Sequence, residues 1–207
     1  MIKLYDNPTN SNSRKIHAIA RDCDVTLEIV PVDLMKGEGQ KPDFLAINPN
    51  GKIPAMVDGK VKLFESNAIL CYIAAKHNSP LLPQDAEGRA QVDQWLFWQS
   101  AHLSIATGKI TWERVYKGLL NRGTPDQARI EEGLTDLNRF VGVLDGVLAQ
   151  SKYICGSKLT VADYAICATL AKTPRERSQI AEDVLKYPNV KRWLSEVESL
   201  PAWMHAN

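Results

Sequence analysis

Two groups of residues in this chain have the types and spacing to do chemistry. The first runs from Asp6 to Lys15, Asp-Asn-Pro-Thr-Asn-Ser-Asn-Ser-Arg-Lys, and crowds hydroxyl and amide donors against the start of a helix. Donors there favour an anion, because the unpaired N–H groups of a first helical turn and the positive end of its dipole act in the same direction. The second is NPNGKIPAMVDGKVKLFES, from Asn48 to Ser66, which places an Ile53-Pro54 pair and a Glu65-Ser66 pair around two short strands. Ser66 stands where Ile69, Leu70 and Ile73 take up helical spacing, so it reads as an N-cap, and free N–H groups at that point favour a carboxylate. Together these features describe a site for a small peptide.

The elements that must hold them follow from the hydrophobic pattern. Lys3-Leu4-Tyr5 and Leu27 to Val30 read as strands separated by a helix from about Ser13 to Cys23, with Ile16, Ile19 and Ala20 on its apolar face. Ile53, Ala55 and Val57 alternate before an Asp58-Gly59 turn, and Val61 and Leu63 alternate after it, the pattern of a β-hairpin. A short helical turn around Phe44-Leu45 precedes it, which gives the order βαβαββα of a thioredoxin-like α/β domain. The breaker-rich segment Asn78 to Gly88 marks the boundary: residues 1–78 form the first domain, 79–87 a linker and 88–207 an all-α helical domain. There a long helix after Gly88 runs through Trp112 and Tyr116 to a break at Asn121 to Pro125. A second helix from about Asp126 to Gln150 carries a core face, and Thr160 with Asp163 reads as a capping box of structural rather than catalytic purpose. Helices near Glu176 to Leu185 and Val190 to Ser199 complete the bundle, with Pro174 and Pro188 as breaks.

A bulky apolar residue before Pro54, with Glu-Ser at the next helix start, resembles the glutathione site of the cytosolic glutathione transferase family, and the resemblance extends over nearly the whole chain. It implies a cis bond at Pro54, pairing of the Ile53 backbone with the cysteinyl unit of glutathione, and Glu65 and Ser66 at the γ-glutamyl end. It implies Lys52 at the glycine carboxylate. Where relatives often have a histidine this chain has Gly39, so that contact is missing or is replaced by Gln40 or Lys41. Such chemistry requires the glutathione thiolate, and a thiol with a pKa near 8.5 is mostly protonated at neutral pH. Lowering it by about two units requires roughly 2.7 kcal/mol of differential stabilisation, within reach of one or two well-aimed donors.

The activating serine of serine-type members falls on Asn10 here. The loop is similar to a bacterial-type pattern, Ser-Gly-Asn followed by a variable residue, an arginine or aromatic, and lysine, over Asn10 to Lys15; Asn12 matches it and the first serine does not. Asn10 and Ser11 therefore rank equally as thiolate donors, ahead of Asn12 and then Thr9. Tyr5, at the position used by tyrosine-type members, ranks lower. Between Met1 and Cys23 the chain has no cysteine, so exchange through an enzyme thiol is expected to be weak. The second substrate, a small hydrophobic electrophile, is expected between the domains against the long helix, near His102, Ile105, Trp112 and Tyr116. Alternatives are glutathione-dependent reduction of peroxides or disulfides, and a binding or scaffold module without turnover.

The rest of the composition is permissive. A net charge of +1 over 207 residues gives no electrostatic case for nucleic acid or an anionic membrane surface. Cys23, Cys71, Cys155 and Cys167 lack metal-ligand spacing and read as reduced thiols. With neither a signal segment nor a membrane span apparent, the cytosol is the expected location, and the family implies a homodimer.

Overall fold

The computed structural model describes residues 1–7 and 10–206, which fall into two compact units: Met1–Leu82 with the segment from Leu200 onward, and Pro83–Ser199. The first unit runs β1 (Ile2–Asp6), α1 (Ser11–Asp22), β2 (Leu27–Pro31), α2 (Pro42–Leu45), β3 (Ala55–Asp58), β4 (Val61–Phe64) and α3 (Ser66–Lys76). This is the βαβαββα order the pattern predicts. The sheet order is β2-β1-β3-β4, with β1 parallel to β2 and antiparallel to β3, and with β3 and β4 forming the hairpin. A parallel pair needs a crossover, which α1 provides.

The strict alternation expected of the hairpin does not hold on β3, where Ala55 and Met56 are both buried. Flanked by β1 and β4, β3 is interior and covered on both faces. Ala55 joins Val32 and Phe44 in a small cluster edged by Tyr5, Ile47 and Ile53, while Met56, pointing the other way, belongs with the core under the helices. β4 is an edge strand and mostly exposed.

The second unit begins with α4 (Ala86–Trp98), capped by Asp85 through a 2.8 Å bond from Gly88 N–H. Helical backbone continues through a π-helical turn at Gln99–Leu103, α5 (Ser104–Thr111), a second π-helical turn at Trp112–Tyr116 and α6 (Lys117–Leu119). It ends just before the breakers at 121–125. Then come α7 (Gln127–Leu148), capped by Asp126, followed by α8 (Val161–Leu170), α9 (Lys172–Arg177), α10 (Ala181–Leu185) and α11 (Pro188–Glu198). Leu137, Val141 and Leu144 of α7 are buried. Asp163 is fully buried and accepts four bonds: from Ile154 N–H at 2.9 Å, Trp193 Nε1–H at 2.9 Å, Thr160 N–H at 2.8 Å and the Thr160 hydroxyl at 3.1 Å.

Several boundaries differ from the pattern. Pro174 and Pro188 do not break helices: each lies in a first turn, of α9 and α11 respectively, where no intrahelical N–H is required. Ser79 and Leu82, in the segment expected to be a linker, are buried, and Ser79 N–H bonds Ala74 carbonyl at 2.9 Å, which extends the packed end of α3. The last helix, α12 (Pro201–Met204), counts with the first unit although its sequence follows the helical domain. It packs on α1: Trp203 is fully buried, the Arg14 guanidinium stands 5.0 Å from the centre of its ring, and Arg14 Nη2 donates to its carbonyl at 3.2 Å.

Candidate functional site

Strand register brings the two sequence clusters together. Ala55 pairs with Tyr5 on one side and Phe64 on the other. The loop after β1, the Lys52-Ile53-Pro54 approach to β3 and the Glu65-Ser66 turn after β4 therefore all leave the same end of three neighbouring strands. Segments far apart in sequence meet there because β3 runs antiparallel to both β1 and β4.

The loop after β1 is held at its base. Asp6 is buried; its carboxylate accepts from Asn7 N–H at 2.5 Å and lies 2.9 Å from His17 Nε2 on α1. Asn10 is the N-cap of α1, with extended backbone and its Oδ1 accepting from Asn12 N–H at 3.0 Å. That bond uses the oxygen and leaves the amide NH2 as the group Asn10 can offer an anion. Ser11 is half-buried and Asn12 exposed in the same turn, while Ser13 is buried and its hydroxyl has no partner among the described residues. No acidic side chain enters the first turn of α1 to oppose an arriving anion. Thr9, also a candidate, lies outside the described residues. Tyr5 packs against Phe44, ring centres 5.8 Å apart, as a core tyrosine does.

On the peptide side the Ile53–Pro54 bond is cis, as the resemblance implies. Asn48 builds the approach to it, a role that sequence reasoning missed. This buried side chain donates to Lys52 carbonyl at 2.6 Å and accepts from Asn50 N–H at 3.0 Å, so one amide closes the turn that delivers Lys52 and Ile53. The signal was present in Asn-Pro-Asn-Gly, whose residues are those that bond their own backbone in turns. Gly39 and Gly51 approach back to back, Gly51 at φ +63°. A Cβ on Gly39 would run into the Gly51 carbonyl oxygen, and one on Gly51 into Gln40 Nε2. A side chain has no room at Gly39, and the Gln40 amide lies against Gly51. Lys52 and Glu65 are exposed, Ile53 and Ser66 half-buried, and Pro54 buried.

Ser66 is not the N-cap. Glu65 takes that position with φ +67° and ψ 109°, Ser66 is the first helical residue, and no side chain caps the turn. A non-glycine residue held there costs about 1–3 kcal/mol, and such residues cluster at ligand clamps. Under this turn, Lys15 of α1 is fully buried, its Nζ 2.6 Å from Asn67 Oδ1. Burial lowers its pKa to about 7, against the opposing pull of Cys71 and Glu65.

In the second unit His102 is exposed within the first π-helical turn, its ring 5.3 Å from that of Phe140 and 6.4 Å from that of Trp98. Trp112 and Tyr116 bound the second π-helical turn and Ile105 lies between the two, all exposed rather than packed in the bundle. Gln99 anchors the first of these turns, donating to Ser104 Oγ at 2.6 Å and Thr169 Oγ1 at 2.8 Å. Arg114 anchors the second, donating to Ser178 carbonyl at 2.9 Å and Gln179 carbonyl at 2.7 Å. Among the described residues no group of His, Cys, Asp and Glu is arranged to hold a metal ion, and no helix is long and apolar enough to cross a membrane.

A four-stranded thioredoxin-like unit with a cis-proline before its third strand and a Glu-Ser turn after its fourth, followed by a helical unit, defines a glutathione-binding protein of transferase architecture. The family model for the glutathione S-transferase N-terminal domain matches residues 1–75, and that for the C-terminal domain residues 70–201. The chain is 36% identical over 209 residues to glutathione S-transferase 3 of Zea mays, covering 98% of this chain and 91% of that one. Glutathione transferase F7 of Populus trichocarpa superposes with a TM-score of 0.89 at 28% identity, covering 100% of this chain and 97% of that one. A family member from Pseudomonas fluorescens, solved with two glutathione molecules bound, gives a TM-score of 0.90 at 29% identity, with 99% and 91% covered. The chain belongs to the glutathione S-transferase family.

Proposed function

We propose that this glutathione transferase stabilises the thiolate of its co-substrate for attack on a small hydrophobic electrophile. The observation that carries the reading is the common strand end from which the donor-rich loop, Ile53-Pro54 and Glu65-Ser66 emerge. The Ile53 backbone pairs with the cysteinyl unit, Glu65 takes the γ-glutamyl ammonium, and Ser66 with the first N–H groups of α3 takes the carboxylate. Lys52 and Gln40 meet the glycine carboxylate, a charge-assisted contact. The sulfur faces the start of α1, where the Asn10 amide NH2, the Ser11 hydroxyl and Asn12 are the donors.

The thiolate attacks the electrophilic carbon, the bond to the leaving group breaks, and the thioether product carries the former thiol sulfur. His102, Ile105, Trp112 and Tyr116 form the apolar surface offered to the electrophile. Their exposure supports this, as does the company of two π-helical turns, a backbone irregularity frequent at functional sites. The same reading, on family grounds, makes the protein a cytosolic homodimer. The test is titration with reduced glutathione, followed by calorimetry and by thiolate absorbance, together with turnover of a chlorodinitrobenzene. Binding with a lowered thiol pKa and conjugation supports the proposal; binding without conjugation, peroxide reduction or disulfide reduction reduces the protein to a glutathione-binding module.

A further inference from the structure

The fully buried lysine of α1 has no evident structural reason to be charged. A methionine of similar length would fill the same space without desolvating an ammonium, and replacing buried charges by apolar groups is often neutral or stabilising. Its position is unfavourable for a cation in a second way: Nζ lies at the start of α3, bonded to Asn67 Oδ1 at 2.6 Å, and the amino end of a helix repels positive charge. That start is the turn in which Glu65 holds φ +67° with no side-chain cap. What would relieve both penalties is a second anion arriving at the turn.

We infer that Lys15 is a positioning residue for glutathione, fixing the Glu65-Ser66-Asn67 turn from below and supplying the counter-charge for the γ-glutamyl carboxylate bound above it. This deepens the reading of that turn as the γ-glutamyl site and rests on it. The charged and titratable groups facing Lys15 from α3 are Glu65 and Cys71. On α1 itself, Arg14 is turned to α12 through the Trp203 carbonyl and His17 to Asp6 of β1, so neither competes for the turn. With its pKa lowered to about 7 in the free protein, Lys15 is largely neutral in mildly alkaline solution, and an arriving carboxylate restores its proton.

Binding is thereby coupled to proton uptake. S-methylglutathione reads this out, because it presents the γ-glutamyl end but has no thiol proton to release. At about pH 8, calorimetry of the intact protein in buffers of different ionisation enthalpy is expected to show uptake of more than about half a proton per ligand bound. Lys15→Met is expected to abolish the uptake and weaken binding about tenfold, the scale of one charge-assisted contact, while Cys71→Ser retains both. Binding by the wild type without proton uptake overturns the inference and leaves the glutathione reading standing, and so does uptake lost in Cys71→Ser. Failure of S-methylglutathione to bind the wild type at all removes the glutathione reading and this inference with it. The wild-type measurement decides the matter even if Lys15→Met does not fold.

Discussion

Replacing Asp163 should destabilise the helical unit without touching the chemistry. Its carboxylate accepts from the Ile154 and Thr160 N–H groups and from the Trp193 indole, all buried. Asp163→Ala removes the acceptor for three donors at once. Leaving a buried donor unsatisfied costs about 1–3 kcal/mol, so three cost about 3–9 kcal/mol. Against that, the carboxylate no longer has to be desolvated; burial pushes its pKa up even though every hydrogen bond to it pulls the other way. A net loss of about 4 kcal/mol is the expectation, a large share of the roughly 5–15 kcal/mol that holds a domain folded.

Asp163→Asn separates the contributions. Its one carbonyl can serve either the Ile154–Trp193 pair of donors or the Thr160 pair, and its NH2 must face the other, so about half the loss, roughly 2 kcal/mol, should remain. Urea titration followed by far-ultraviolet dichroism and tryptophan fluorescence gives both numbers. Where the Asn variant is still folded, its Michaelis constant for glutathione should match wild type. Asp163→Ala within about 1 kcal/mol of wild type at unchanged m-value would refute the bookkeeping, and a glutathione constant that moved in the folded Asn variant would refute the structural assignment.

Other expectations concern the first unit. Among Asn10→Ala, Ser11→Ala and Asn12→Ala, the variant that loses the thiolate donor should raise the pKa of bound glutathione by about one to two units, a loss of about 1.4–2.7 kcal/mol, read from thiolate absorbance against pH; three unchanged profiles would remove the loop from catalysis. Lys52→Ala should raise the glutathione Michaelis constant several-fold at constant turnover number, and an unchanged constant would take Lys52 out of the site. Gly39→Ala should cost about 1–3 kcal/mol by overpacking against the Gly51 carbonyl and weaken glutathione binding through the displaced Lys52 turn; full stability would show that the two loops can part. Lys15, lowered from 10.5 to about 7, is protonated in both states below that point. Between those values the unfolded chain binds more protons, so stability rises with pH. Lys15→Met should therefore gain on wild type by up to about 5 kcal/mol near pH 6.5 and lose that margin towards pH 10, and a margin constant with pH would contradict the burial.

The sequence was most legible where local chemistry and position coincide. Asp-Gly named the hairpin turn, Ile16 and Ile19 the buried face of α1, Asp126 and the Thr160–Asp163 pair their helix starts, and Ile53-Pro54 the cis bond ahead of β3. What it could not yield were contacts between segments distant along the chain. Nothing near Lys15 announces Asn67, because a lysine between Arg14 and Ile16 has the spacing of a solvated helix face. Gly39 looked like a missing ligand and is instead a steric requirement created by Gly51. Ser66 had the composition of an N-cap, but capping depends on where φ changes sign, and Glu65 holds the positive angle. The two π-helical turns left no trace, since their residues suit an ordinary helix equally well.

The packing of α12 on α1 makes the first unit depend on two segments that the whole helical unit separates in sequence. During synthesis the strands of this unit leave the ribosome ahead of the helical unit, yet Trp203, which covers one side of α1, emerges only after that helical unit has been made. Until then Arg14 lacks its aromatic neighbour and a flank of α1 stays uncovered. A chain that stops short of α12 therefore leaves bare the flank of α1 that Trp203 covers.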